Sequence, residues 1–294
     1  DGSAEAARCL GADVVRLERQ RGFAAAVNAG LQRCRREWVA LLNNDVDLEP
    51  DWLERVLAAA RSASAWFACG KLLDAGRPGR LDGAFDLVCR GATAWRAGSG
   101  RPDGPVWDEP RPVRFAGFAA VLLRRELFQI AGPLDECFGS YLEDVEFCLR
   151  CALRDMGGIY VPQARGRHTG SATLGRWSPA AVRLIARNQL LLVARHYPAD
   201  WRRRYGRPVL AAQLLWGAVA CRHGALAAWA RGKQEGWKMF RSLRALSSPA
   251  PPDHLAALLA ACENEIARLQ ALAGRDPYWT LYFALAGKPP LARA

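Results

Sequence analysis

WVALLNNDVD, Trp38 to Asp47, is the stretch on which the reading of this chain turns. Val39, Ala40, Leu41 and Leu42 follow one another without polar alternation, the pattern of a strand covered on both faces of a parallel sheet. The run stops at Asn43, Asn44 and Asp45, with Asp47 two residues on. Pro50 then opens a helical pattern at Trp52, Leu53, Val56 and Leu57. Side-chain oxygens are therefore expected at the carboxyl end of a central strand, where open α/β sheets bind ligands.

Working outward, Ser3 to Gly11 reads as a helix entered through a Ser cap, Val14 to Leu17 as a short strand, and Phe23 to Cys34 as a helix of small residues. Gly30 inside that helix costs about 1 kcal/mol relative to Ala, which points either to tight packing on the sheet or to a nearby ligand. Trp66 to Leu73 reads as another strand. The alternation β, α, β, α implies a parallel sheet with right-handed crossovers. Asp74 to Pro112, rich in Gly, Pro, Arg and Asp, reads as a functional loop or lid. The core resumes with a strand at Arg114 to Arg125 and a short helix at Glu126 to Ile130. Leu134 to Tyr141 is a loop carrying Asp135 and Glu136, and Glu143-Asp144 starts a helix through Ala152. Ile159 to Val161 is a strand, and His168 falls in the polar loop RGRHTGSAT. Ser178-Pro179 is a sound helix start, with a Ser cap and Pro at the first position. From there to the end the chain reads as helical.

With 294 residues and 51% hydrophobic content the chain can bury one large domain and carry an appendage. Its net charge of +12 is uneven: 13 Arg or Lys face two acids, Asp200 and Glu235, between Ala180 and Ala245. A basic appendage is thus joined to a nearly neutral body. Only Lys71, Lys233, Lys238 and Lys288 are lysine, a bias that fits a GC-rich genome better than a function. Nine cysteines without framework spacing argue for a reducing compartment. The single pair Cys148 and Cys151 reads as neighbours on one helix turn. There is no signal-peptide pattern, and the longest apolar candidate, Val209 to Ala230, is broken by Arg222 and His223. The chain opens in mid-pattern with Asp1-Gly2-Ser3, from which a further N-terminal piece is expected.

Asp45, with Asn43 before it and Asp47 after it, can offer oxygens to a hard divalent cation such as Mg²⁺ or Mn²⁺, commonly held by one or two carboxylates plus substrate phosphates. Capping of the following helix explains the same residues equally well. Glu143-Asp144 could likewise be a simple helix start, stabilised by the dipole, or could include a general base. His168 could be a metal ligand, an acid/base, or neither.

In combination these sites resemble family 2 glycosyltransferases of the GT-A fold, in particular the bacterial rhamnosyltransferase-like branch. Asp1-Gly2-Ser3 looks like the end of the family's DNxSxDGS turn. RGFAAAVNAG at 21 to 30 is similar to its GfaaavNaG segment, and LLNNDVDLEPDWL at 41 to 53 to its LNnDv metal motif. FAGFAAVLLRRELFQIAGPLDECFGSYLEDVEFCLR, 115 to 150, matches the acceptor-side block ending in the ED motif. YVPQARGRHTGSAT and Arg187-Asn188 also fit. The resemblance implies an α/β, mostly parallel Rossmann-like sheet flanked by helices, with a helical appendage and an N-terminal strand upstream of Asp1. It implies a nucleotide-sugar donor contacted by Asp1, Gly22, Asn28, Asn43, Asn44 and Asp45. Asp45 would hold the metal, with His168 closing over it and Asp47 as a further candidate. Asn43 stands where the common DxD has its first acid. Asp144 aligns with the catalytic base, Glu143 with its supporting acid, and Gly117 and Phe118 with the acceptor side. The implied chemistry is one in-line displacement with inversion at the anomeric carbon.

In the basic segment, Arg interleaves with Trp201, Trp216, Trp229 and Trp237. Such a helix suits the surface of an anionic membrane, which a lipid-linked acceptor would make useful. No nucleic-acid module is visible. Leu255 to Leu272 has apolar residues at helical spacing, serving self-association or packing. The expected organisation is a catalytic domain over residues 1–177, a basic amphipathic segment over 178–246 and a helical tail over 247–294. The expected function is a metal-dependent inverting glycosyltransferase, cytoplasmic and peripheral at the inner face of the plasma membrane, that adds a deoxyhexose such as rhamnose to a growing cell-surface glycan or lipid-linked acceptor. A non-catalytic remnant that keeps the fold is the alternative.

Overall fold

The computed structural model describes residues 2–170 and 177–287. Its elements, in chain order, are α1 (Ser3–Cys9), α2 (Phe23–Leu31), β1 (Trp38–Leu42), β2 (Val46–Leu48), α3 (Trp52–Ser62), β3 (Phe67–Asp74), β4 (Leu81–Gly83), β5 (Asp86–Val88), β6 (Ala94–Arg96), β7 (Arg111–Val113), β8 (Ala120–Arg124), α4 (Leu127–Ile130), α5 (Glu143–Ala152), β9 (Gly158–His168), α6 (Pro179–His196), α7 (Trp201–Arg222), α8 (Leu226–Ala245), α9 (Pro252–Ala273) and α10 (Pro277–Ala286).

The main sheet runs β1-β8-β3-β9-β2, with β4 added to β3 and β7 to β9. It is mixed: β3 and β9 are parallel, and the other pairs are antiparallel. Residues alternate between the two faces, as strand geometry requires. Ala68, Leu72, Ala120 and Leu122 pack under Trp52, Val56 and Ala60 of α3. Phe67, Cys69, Val121 and Leu123 face the larger core, which includes Phe147 and Cys148 of α5 and residues from the C-terminal helices. The α/β architecture with flanking helices and a helical C-terminal region agrees with expectation, but the sheet is not mostly parallel. β3–β9 is its single parallel pair among the described residues, because the strands adjacent in space are not joined by successive right-handed crossovers.

Several local expectations do not hold. β1 pairs only with β8 and is an edge strand, with Val39 buried but Leu42 52% exposed. An unbroken apolar run therefore did not mean two covered faces. Val14 to Leu17 has no strand partner among the described residues and remains irregular. Gly2, not Ser3, occupies the N-cap of α1, without a side-chain cap bond. A Cβ at Gly30 would meet nothing within 4 Å, so tight packing on the sheet is not what keeps glycine there.

The largest departure is Asp74 to Pro112, expected as a loop or lid. It contains β4, β5, β6 and β7, and residues 84–93 of it are buried in sequence. Its strands are three residues long, too short to leave a readable period, and Gly83 and Gly91 sit where a Cβ would come 2.3 Å from neighbouring side chains.

The start of α6 agrees with its sequence: the Ser178 hydroxyl accepts from Ala181 N at 3.2 Å. The basic segment, however, is not a single surface helix. α6 packs along α8, and Leu190 to Ala194 are all buried. Much of its charge is internally engaged. Arg183 pairs with Glu235 at 2.9 Å, and Arg207 donates to Leu285 O at 2.6 Å. No helix among the described residues is long and apolar enough to cross a membrane. Leu255, Leu259, Ile266 and Leu269 of α9 are fully buried, so this face of the helix packs within the chain.

Candidate active site

The turn joining β1 to β2 carries Asn43, Asn44 and Asp45. Asn43 N donates to Ala119 O at 2.8 Å, extending the β1–β8 pairing one step past the strand. Asp45 O accepts from Thr169 N at 3.0 Å, and Val46 pairs in register with His168 at the end of β9. His168 thus lies in a strand, not a loop, and its ring is brought to Asp45.

His168 Nε2 lies 3.2 Å from Asp45 Oδ1 but out of line for a hydrogen bond, so this buried nitrogen is left without a hydrogen-bond partner. Nδ1 lies 2.8 Å from Asp82 Oδ2. Burial would lower the pKa of the ring, yet the hydrogen bond and charge of Asp82, with the charge of Asp45, raise it above the ordinary histidine value.

Arg96, at the end of β6, contacts Asp82 at 3.3 Å and Asp86 at 3.4 Å. Its seat requires glycine: a Cβ on Gly117 would come 2.5 Å from Arg96 Nη2, and one on Gly83 would come 2.3 Å from its Cγ and Cδ. Burial pushes the Asp86 carboxyl up to about 6, against the pull of Arg96.

Glu143 and Asp144 form the first turn of α5. Asp144 Oδ1 accepts from Val145 N at 2.8 Å, and its Oδ2 from Phe118 N at 3.4 Å. Burial raises the Asp144 carboxyl above the usual range while Arg96 and these N–H donors draw it back. Glu143 is buried, with Oε2 unpartnered. Its pKa stands well above the ordinary value because of burial and then the neighbouring Asp144 charge. The two adjacent acids are therefore chemically different: both are raised by burial, but only Asp144 has Arg96 and two backbone N–H donors favouring its charged form, while Glu143 Oε2 is unpartnered.

Tyr141 and Leu142, just before these acids, both lie in the left-handed region, at φ 68° and 64°. Non-glycine residues held there cost on the order of 1–3 kcal/mol each and persist only where surrounding contacts enforce them. From α2, Ala24 N donates to Gly139 O at 2.9 Å, Phe23 N to Ser140 Oγ at 3.1 Å, and Asn28 Nδ2 to Leu134 O at 2.9 Å. Gly22, at φ +90°, allows this approach: a Cβ there would sit 2.7 Å from the Gly139 carbonyl carbon.

These elements enclose a cleft of about 860 Å³. Gly22, Asn43, Asn44, Asp45, Phe118, Glu143, Asp144 and His168 all line it. Asn28 instead braces the loop ahead of Glu143, and Gly117 makes room for Arg96. Asp47 pairs with Arg167 in the β2–β9 ladder and does not line the cleft. Nor does it cap the next helix, whose N-cap is Asp51. Asp1 lies outside the described residues. Arg96, Asp86, Gln189 and Trp216 line the cleft unanticipated. The first two come from the segment read as a lid, the others from helices read as an appendage, and no local spacing marks them.

Among the described residues no group of three or more His, Cys, Asp and Glu converges as a metal cage. Asp45 with the unpartnered His168 Nε2 still suits a cation that takes its remaining ligands from phosphate and water.

Residues 1–129 match the model of the family described as Glycosyl transferase family 2. Two curated relatives from strains of Mycobacterium tuberculosis, each named N-acetylglucosaminyl-diphospho-decaprenol L-rhamnosyltransferase, are 27% identical over 182 residues. That alignment covers 56% of this chain and 58% of theirs. A protein of Sinorhizobium fredii named Uncharacterized protein y4gI is 27% identical over 169 residues, 55% of this chain and 18% of its own. The chain thus spans less than two thirds of each. Among solved structures, the crystal structure of GalNAc-T7 with UDP, GalNAc and Mn²⁺ aligns at a TM-score of 0.54 and 16% identity, covering 88% of this chain and 46% of that one. That likeness is one of fold, and the fold is GT-A.

Proposed function

We propose, on the premise that residues 1–129 form a glycosyl transferase family 2 region, that this protein transfers a sugar from a nucleoside diphosphate donor to an acceptor hydroxyl with inversion at the anomeric carbon. The observation that carries the reading is the pairing, in one cleft, of a partly exposed Asp144 with the Asp45–His168 contact. Asp144 is the general base, able to take the proton of the attacking hydroxyl. Glu143, the supporting acid beside it, has its pKa raised by burial and by the Asp144 charge, which disfavours a second negative charge next to the base. Asp45 and His168 would hold a divalent cation, which when bound neutralises charge on the leaving diphosphate. Asn43, Asn44 and Gly22 line the donor side and Phe118 the acceptor side. Arg96 supplies fixed positive charge near Asp82, Asp86 and Asp144.

The donor sugar in this reading is a deoxyhexose such as rhamnose, and the acceptor a growing cell-surface glycan or lipid-linked sugar. Support comes from the names of the mycobacterial relatives. Peripheral contact with the inner face of an anionic plasma membrane fits the net charge of the helical region and the exposed Leu210 and Leu214 of α7. Titration calorimetry with Mn²⁺ and a panel of nucleoside diphosphates tests the central claim. Metal-dependent binding of one nucleotide is expected. A chain that only keeps the fold binds none.

A further inference from the structure

Asn188 lies on α6, outside the family match and outside the cleft lining, and no part of its side chain is exposed. Its amide nitrogen sits 2.9 Å from Phe138 O, 3.0 Å from Ser140 O and 2.5 Å from Tyr141 O. Its Oδ1 accepts from Arg187 Nε at 2.8 Å. A guanidinium only donates, so this contact fixes which end of the amide is oxygen and turns both N–H groups toward the carbonyls. Arg187 Nη2 adds a bond to Phe138 O at 2.6 Å. These carbonyls belong to the turn whose next two residues, Tyr141 and Leu142, are left-handed and whose continuation is Glu143-Asp144. On its other side the same turn is bonded to α2 through Ala24 N and Phe23 N.

We infer that Asn188 is a positioning residue for the general base: by holding the carbonyls of 138–141 from behind, it enforces the paired left-handed turn that aims Asp144 into the cleft. The inference rests on the glycosyl-transfer reading for what Asp144 does, and on geometry alone for the clamp. α6 is then the back wall of the active site, and the turn is gripped between a helix lining the donor side and a helix of the C-terminal region. A misplacement of about 1 Å at a reacting group can cost about 10²-fold in rate, so a clamp remote from the substrate can still be felt in turnover.

The test uses the whole chain with Asn188→Ala, and with Asn188→Ser, which keeps one donor and carries the test should the alanine variant fail to fold. Hydrogen exchange is read on peptides covering 134–147. Hydrolysis of a panel of nucleoside diphosphate hexoses and 6-deoxyhexoses with Mn²⁺ is read for kcat, KM and pH profile. Expected are exchange at 139–144 about tenfold or more faster than in the parent protein, and kcat down by about 10²-fold with KM and nucleotide affinity near the parent value. The acid limb should move to lower pH, since loosening lets water reach Asp144 and relieves the burial that holds its carboxyl up. Unchanged exchange at 139–144 overturns the clamp. Faster exchange with kcat and the acid limb both unchanged overturns the positioning role and leaves a packing contact. If the parent protein binds and hydrolyses none of the panel, the glycosyl-transfer reading falls instead, and the exchange arm still decides the clamp.

Discussion

His168 and Asp82 meet with Nδ1 2.8 Å from Oδ2, and this contact ties the end of β9 to β4, a strand of the segment whose composition reads as a loop or lid. With Nδ1 so engaged, Nε2 is the nitrogen turned toward Asp45. A carboxylate behind a ligating histidine fixes its ring and raises its basicity. Asp82→Asn should therefore weaken Mn²⁺ binding in the presence of a nucleoside diphosphate by about 10-fold or more, read by calorimetry. Equal affinity in variant and parent would make the contact merely structural.

Asp144→Asn removes the group assigned as base. Turnover should fall by about 10²–10⁴-fold while Mn²⁺ and nucleotide still bind, which separates loss of chemistry from loss of the donor site. Donor hydrolysis at the parent rate would remove Asp144 from that role.

The base works only when deprotonated, so activity must fall as pH drops through the Asp144 pKa. Burial holds that value above the ordinary 3.8, and Arg96 pulls it down. The acid limb of kcat/KM should thus lie above the normal aspartate range. Arg96→Met should move it further up, because the opposing charge is lost. A limb that stays in place in this variant would show that Arg96 does not act on the base.

Gly22→Ala tests the donor-side grip on the same turn. A methyl group there meets Gly139 backbone at 2.7 Å in a conformation, φ +90°, that alanine avoids. A stability loss of about 1–3 kcal/mol is expected in denaturant unfolding, with faster exchange at the turn. A parent-like midpoint would mean that the two backbones can separate freely.

Glu146, in the first turn of α5, is fully buried. It bonds His196 Nε2 at 3.1 Å and Arg150 Nη2 at 2.9 Å. Burial alone would raise its pKa, but these partners bring it down to about 2 from the ordinary 4.5. Because the folded-state value is the lower one, its contribution is complete above about pH 4.5 and is lost as pH falls toward 2. The drop corresponds to about 3 kcal/mol. Glu146→Gln should lower the melting temperature at neutral pH and flatten the decline between those pH values. An acid dependence like that of the parent would place the stabilising charge elsewhere.

Helical spacing at Glu143 to Ala152 and the cap at Ser178 were legible because each depends on residues within one or two turns. β1 was legible as a strand but not as an edge, since a strand's neighbours are set by chain far away in sequence. The short strands β4 to β7 left no period to detect. For the same reason Asp82 and Arg96, both essential to the geometry around His168, carried no local mark.

By itself, then, the sequence pointed to side chains that could do chemistry: Asp45 just past a readable strand, Glu143 and Asp144 at a readable helix start, and His168 in what reads as a loop. Only the tertiary structure decided which of them meet and in what state. A histidine gains its second carboxylate, and Glu143 its raised pKa, from groups that packing brings together. Those contacts arise from desolvation and long-range pairing, which no local pattern of residues encodes.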